Sequence, residues 1–389
     1  MHEITKSNYF KFSEKLIALD TVSSKPNGEC SALVANELKD LGFETLIEKY
    51  DDCHGTKEQV IGIIGPPVEG GLILSGHMDI VPYENQPGWT RDALSLEISD
   101  DKLFGRGSCD MKLFIAQCIE AFKGIELEKL KKPIVCIFTT DEEVGSLGAH
   151  HLTKKLDTIL GKTPLPKRAI IGEPTSFNIV NTHKGIMQFD IIIHGVAGHS
   201  SRPDLGKNSI APLAKIISVI NNLNLEFQET LDPVIKKLFP DFPYNYLHMA
   251  TLKSGIATNM IPEKTVLQIS YRTFPLDPPH KVLNHLKARL EMANIDLPYE
   301  ITTVRSTPAM PLANNQELEI LLKEYTQTKE LKSVSFATDG GYLSTAGIDC
   351  YVCGPGEIEM AHKPNEYMPL QDFIVGPNII KSILKDLLF

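Results

Sequence analysis

The stretch Pro133–Gly148, PIVCIFTTDEEVGSLG, decides how the chain is read. Its first half is a short, unbroken apolar run, which predicts a strand buried on both faces. Its second half sets Asp141, Glu142 and Glu143 side by side, followed by Gly145 and Gly148. Adjacent carboxylates repel, so a fold that gathers them at the end of a buried strand has to supply compensating positive charge. In open α/β sheets, ligands bind beyond the carboxyl ends of the strands. The stretch therefore predicts such a sheet, with its chemistry at that edge.

The neighbouring sequence repeats the pattern. Gln59–Gly65 (QVIGIIG) and Gly71–Asp79 (GLILSGHMD) read as adjacent strands with a Gly/Pro turn between them. Met111–Ile125 has apolar residues at helical spacing, and Lys167–Thr175 (KRAIIGEPT) is another short buried strand. After Lys184 the texture changes. Met187–Val196 alternates apolar and polar residues, Asn208–Leu223 is an amphipathic helix, and Leu267–Phe274 alternates again. A second helix at His280–Asn294 and a last strand at Tyr299–Ser306 complete a compact α+β unit, after which the α/β texture returns. The expected architecture is α/β. Residues 1–184 and 305–389 form a catalytic domain, a central mixed sheet flanked by helices, and residues 185–304 form a smaller inserted α+β domain.

Bulk properties narrow the function. The 389 residues exceed one ordinary core, and 42% hydrophobic with 23% charged residues is the balance of a soluble globular chain. A net charge of −10 argues against sequence-independent binding of nucleic acid, which needs a basic field. No apolar run approaches the ~20 residues of a membrane span, and the first residues lack the form of a signal peptide. Seven scattered cysteines, an odd count without a dense framework, read as reduced thiols in the cytoplasm.

Five apolar segments are followed by metal-binding residue types. His77 and Asp79 stand two apart in GHMDIVP, and i and i+2 on a strand face the same way. Asp110 follows a tight GRG, where it would also suit a helix cap. Glu142 and Glu143, Glu173 in IGEPT, and His362 in EMAHKPNEY complete the set. Two His with three carboxylates is the donor set of a dinuclear zinc centre. The charges balance. Asp110, Glu143 and Glu173 with one hydroxide neutralise two Zn²⁺, which leaves Glu142 free to act as a base.

These motifs, together with HKG (His183–Gly185) and GHSSRPDLGKNSI (Gly198–Ile210), resemble the zinc-dependent M20 peptidase and deacylase family, nearest its acetylornithine deacetylase branch. They follow in the expected order over most of the chain. The resemblance implies two Zn²⁺ per subunit bridged by Asp110, with Co²⁺ as a substitute. His77 and Glu173 would complete one metal's ligands, and His362 and Glu143 the other's. It implies that Asp79 accepts a hydrogen bond from His77, that the Asp110–Met111 peptide is cis, and that Glu142 is the general base. It further implies that His199 stabilises the oxyanion, that Arg272 and Asn259 hold the substrate, and that the inserted domain is a lid through which the chain forms a homodimer. Asp339, in FATDGGYLSTAG, is a candidate partner for a substrate ammonium or a helix cap. The expected reaction is hydrolysis of a small N-acyl amino acid, first of all N2-acetylornithine. Desuccinylation of succinyl-diaminopimelate, other deacylation and dipeptide cleavage are the alternatives, and a catalytically inactive binding relative is the alternative of another class. One departure is Leu113, where relatives commonly carry Gly after DMK; it concerns helix packing.

Overall fold

The computed structural model describes residues 3–389. The chain divides into two compact units. One comprises Met1–Thr182, Leu312–Lys332 and Thr338–Phe389, and the other His183–Pro311 and Ser333–Ala337.

The first unit is built on an eight-stranded mixed sheet. Its strands run in the order Glu44–Asp52, Gly55–Ile64, Ile134–Thr139, Leu72–His77, Arg168–Pro174, Asp349–Gly354, Ile179–His183 and Leu331–Val334. The strands Leu72–His77, Ile134–Thr139 and Arg168–Pro174 are buried at every residue, as their unbroken apolar sequences require. One expectation is corrected. Gly55–Ile64 and Leu72–His77 are not adjacent, because Ile134–Thr139 lies between them, antiparallel to the first and parallel to the second. Passing one strand needs roughly 10 Å, which the link 65–71 spans without strain.

Helix Lys112–Lys123 is buried along most of its length. It lies so close to the sheet that a Cβ on Gly172 would stand 2.0 Å from Phe114 Cγ. Leu113 is fully buried in the same core, which places the departure noted above in packing. Helix Asn8–Ala18 starts where the Ser7 hydroxyl accepts the Phe10 N–H at 3.0 Å.

The second unit has a four-stranded antiparallel sheet, ordered His248–Ser254, Lys264–Thr273, Gly185–His194 and Tyr299–Thr307. Met187, Phe189, Ile191 and Ile193 alternate inward. They pack with the apolar sides of helices Leu213–Glu229 and Lys281–Met292. All seven cysteines are free thiols. Among the described residues, no helix is long and apolar enough to cross a membrane.

Candidate metal centre

The sheet register explains how distant residues meet. Leu72–His77 pairs in parallel with Ile134–Thr139, placing His77 opposite Thr139. On its other edge Ser75 pairs with Ile171, so His77 and Glu173 lie equally far along their strands. Three strands thus end together, with His77 on the middle one, the acidic turn Asp141–Glu143 leaving from its neighbour on one side and Glu173 on its neighbour on the other.

Asp110 sits between the two histidines. Its Oδ1 is 3.0 Å from His77 Nε2, and its Oδ2 is 3.3 Å from His362 Nε2. Glu173 Oε1 lies 3.9 Å from His77 Nε2, while Glu143 Oε2 lies 2.9 Å from His362 Nε2. One carboxylate therefore presents each oxygen to a different histidine, and each histidine has its own glutamate. Donor atoms of His77, Glu142 and Glu173, and likewise of His77, Asp110 and Glu143, lie within 4.8 Å of one another. The Asp110–Met111 peptide is cis. Asp110 does not cap the helix that follows, whose N-cap position is Met111.

Asp79 holds the site in a way that alternation along a strand did not foresee. The strand ends at His77, and Asp79 lies beyond it. His77 Nδ1 is 2.9 Å from the Asp79 main-chain carbonyl but 3.6 Å from its carboxylate. That carboxylate instead accepts the N–H groups of Glu142 at 3.1 Å and Glu143 at 3.3 Å, and the Ser23 hydroxyl at 2.8 Å. It thereby fixes the backbone of both glutamates.

The acidic turn is supported from below. Asp141 is fully buried with φ 57°. It accepts the Tyr50 hydroxyl at 2.7 Å and lies 3.5 Å from the buried Lys57 Nζ. The third carboxylate is thus the anchor of the turn. Ser146 donates to Glu142 Oε1 at 3.3 Å. Gly148 lets the next helix close on the strand end, since a Cβ there would meet the Thr140 carbonyl at 2.2 Å.

The remaining predicted residues fall into two groups. Asp339 belongs to the first unit, is buried, and makes no capping bond to the helix it precedes. Its Oδ2 accepts the Thr139 hydroxyl, and its Oδ1 has no hydrogen-bond partner. His199, Asn259 and Arg272 belong to the second unit. His199 pairs with Met260 across a short ribbon, where Ser200 N–H donates to the Asn259 carbonyl at 3.0 Å. Its ring is exposed, with the Ser201 hydroxyl 2.8 Å from Nδ1. Arg272 instead shares a cavity of about 290 Å³ with Lys184, Tyr244, Tyr246 and His248.

Electrostatics test whether these residues suit a metal. Burial raises Glu142 and Glu173 well above the usual carboxylate range, and neighbouring carboxylates add to the effect. Burial and the Asp110 charge push Glu143 up to about 7. Burial opposes ionisation of Asp110 too, but hydrogen bonds to His362 and His77 hold it well below its ordinary value. Hydrogen bonds to Asp110 and Glu143 push His362 up to about 11. Four buried carboxylates therefore have only two imidazoles to offset them. A divalent cation at each histidine would remove that imbalance, and nitrogen with oxygen donors suits Zn²⁺ and similar ions. The residues fit a two-metal centre.

Known proteins resemble the chain in sequence and in fold. The sequence profile of peptidase family M20/M25/M40 matches residues 73–386. An acetylornithine deacetylase of Myxococcus xanthus is 31% identical over 367 residues, 92% of each chain. One of Buchnera aphidicola subsp. Acyrthosiphon pisum (strain APS) is 30% identical over 390 aligned positions, 97% of each chain. Among solved structures, the M20 family metallo-carboxypeptidase Sso-CP2 from Sulfolobus solfataricus superposes with a TM-score of 0.78. It has 18% identity over 97% of this chain and 99% of that one. The Bacillus subtilis YXEP protein, described as a dinuclear metal binding peptidase, gives 0.65 at 15% identity, over 97% of this chain and 98% of that one.

Proposed function

The chain is an amidohydrolase that belongs to peptidase family M20/M25/M40, and on that premise we propose that it removes the acetyl group from N2-acetyl-L-ornithine. The products are L-ornithine and acetate, a step that would serve arginine biosynthesis in the cytoplasm. The observation that carries this reading is agreement with acetylornithine deacetylases along nearly the whole chain. The resident group is proposed to be a pair of Zn²⁺ ions, for which Co²⁺ can substitute. His77, Asp110 and Glu173 would hold one ion, and His362, Asp110 and Glu143 the other.

Bound metal would supply Lewis acidity, making water a nucleophile at neutral pH and polarising the amide carbonyl. Glu142 moves the proton. Its carboxylate takes one from the attacking water and delivers it to the leaving amine nitrogen. Asp79 and Ser146 keep it aimed, through its N–H and Oε1 respectively. His199 would stabilise the developing oxyanion from the neighbouring subunit of a homodimer formed through the second unit, which acts as the lid. Arg272 and Asn259 would hold the substrate carboxylate, since a planar guanidinium matches a carboxylate. Asp339 keeps one oxygen uncommitted for the side-chain ammonium.

The test is turnover of N2-acetylornithine by the Zn²⁺-loaded chain, with N-succinyl-diaminopimelate run in parallel. Preferential hydrolysis of the acetyl substrate is expected. Preference for the succinyl substrate reassigns the activity within the family. Glu142→Gln is expected to keep its metals while losing about 10²–10⁴-fold in kcat; full activity in that variant removes Glu142 from the mechanism.

A further inference from the structure

We propose that Glu366, Arg106 and Gln86 form a clasp that fixes His362 relative to Asp110, so that the His362 metal site is assembled by positioning residues outside the ligand set. This inference rests on the reading of Asp110 and His362 as ligands.

Glu366 is fully buried, four residues beyond His362. Its Oε1 accepts three N–H groups of one loop, from Gly107 at 3.1 Å, Cys109 at 2.9 Å and Asp110 at 3.0 Å. Its Oε2 accepts Arg106 Nη1 at 2.7 Å, and its carbonyl accepts Gly105 N–H at 3.0 Å. The loop presenting Asp110 is therefore wrapped around one carboxylate that comes from the loop presenting His362. A burial this complete opposes the charge on Glu366; the guanidinium and the N–H groups offset it.

The other end of the clasp reaches His362 itself. Arg106 Nη2 donates to Gln86 Oε1 at 2.6 Å, and Gln86 Nε2 donates to the His362 carbonyl at 2.7 Å. His362 has φ 62°, a left-handed conformation uncommon for a non-glycine residue, so its backbone needs such a hold. Its side chain is 54% exposed and gains little support from packing. Asn365 ties the two loops again, accepting Thr90 N–H at 3.0 Å and donating to the Gly88 carbonyl at 3.1 Å. His77 has no comparable dependence, because it ends a buried strand.

The chain's single tryptophan reports on the clasp. Trp89 Nε1 donates to Gln86 Oε1 at 3.0 Å, and the Arg106 guanidinium lies 5.0 Å from its ring. Filling the His362 site should therefore change Trp89 emission.

The experiment titrates the chelator-stripped full-length chain with Zn²⁺ by calorimetry and Trp89 fluorescence. Two equivalents are expected in the wild type, one of them accompanied by a fluorescence change. Gln86→Glu keeps an acceptor for Arg106 and Trp89 but deletes the donor to the His362 carbonyl. It should weaken the fluorescence-linked equivalent about 10–100-fold and leave the other unchanged. Glu366→Gln, which also loosens the loop presenting the shared Asp110, should weaken both equivalents and the fluorescence-linked one more; if it fails to fold by circular dichroism, Gln86→Glu decides the question. Unchanged affinity for both equivalents, or equal weakening of both, overturns the clasp. A wild-type chain that binds no Zn²⁺ overturns the metal-centre reading instead.

Discussion

At the scale of single residues, the site is a set of ligands resting on partners that carry no motif. Asp141 shows this most directly. Its neighbours Glu142 and Glu143 face the centre, while it turns inward to Tyr50 and Lys57. Removing one member of a buried ion pair strands the other's charge. Lys57→Met should therefore cost about 3–5 kcal/mol of stability in urea unfolding, and Asp141→Asn added to it should recover part of the loss. Additive losses in that double-mutant cycle would show that the pair is not coupled. The ligands were legible because His77, Glu143 and Glu173 follow apolar runs, while Asp110 and His362 stand in motifs of their own, GRGSCDMK and EMAHKPNEY. Lys57, Tyr50, Ser146, Gln86 and Glu366 were not singled out, since each has an ordinary surface residue type. Tyr50 meets Asp141 91 positions away, and Arg106 meets Glu366 260 positions away. The one available hint was that Glu366 stands in the same quoted motif as His362.

At the scale of elements, parallel pairing does the alignment. Strands ending level at His77 and Thr139 place a histidine beside the acidic turn without any side-chain bond between them. The close approach of helix Lys112–Lys123 to Arg168–Pro174 should make Gly172 intolerant of any Cβ. Gly172→Ala should cost about 1–3 kcal/mol, seen as a lowered Tm, unless the Phe114 ring moves aside. In the second unit, burial holds His183 down to about 4, despite the hydrogen bond of its Nδ1 with the Lys184 carbonyl. It stays neutral in the fold over a range where the unfolded chain is protonated. Stability is therefore full above about pH 6.5 and falls as the pH drops towards about 4. His183→Gln should flatten the loss, of order 2–3 kcal/mol, in urea midpoints measured across that range. Element types were readable from periodicity. Sheet order was not, because nothing in an apolar run says which of two apolar runs will lie beside it, and Ile134–Thr139 came between the two strands expected to be neighbours.

At the scale of the whole molecule, the charge imbalance at the centre ties stability to metal. Ligands that bind only the folded chain stabilise it by about 2.7 kcal/mol per site at a hundredfold excess over Kd. Adding Zn²⁺ to the stripped chain should raise Tm, and Asp110→Ala should lose most of that rise. An unchanged Tm on adding Zn²⁺ would show that the acidic cluster is stable alone. The spacing of the ligands has a consequence for the order of events during folding. His362 meets Glu143 across 219 positions, and the clasp closes across 260. Contacts that distant carry the largest loop-closure entropy and tend to form late. A chain not yet closed at these contacts would hold Glu142, Glu143 and His77 near one another before His362 arrives. Metal captured at that stage would be held by an incomplete set, which makes full occupancy a signature of chains that have finished folding.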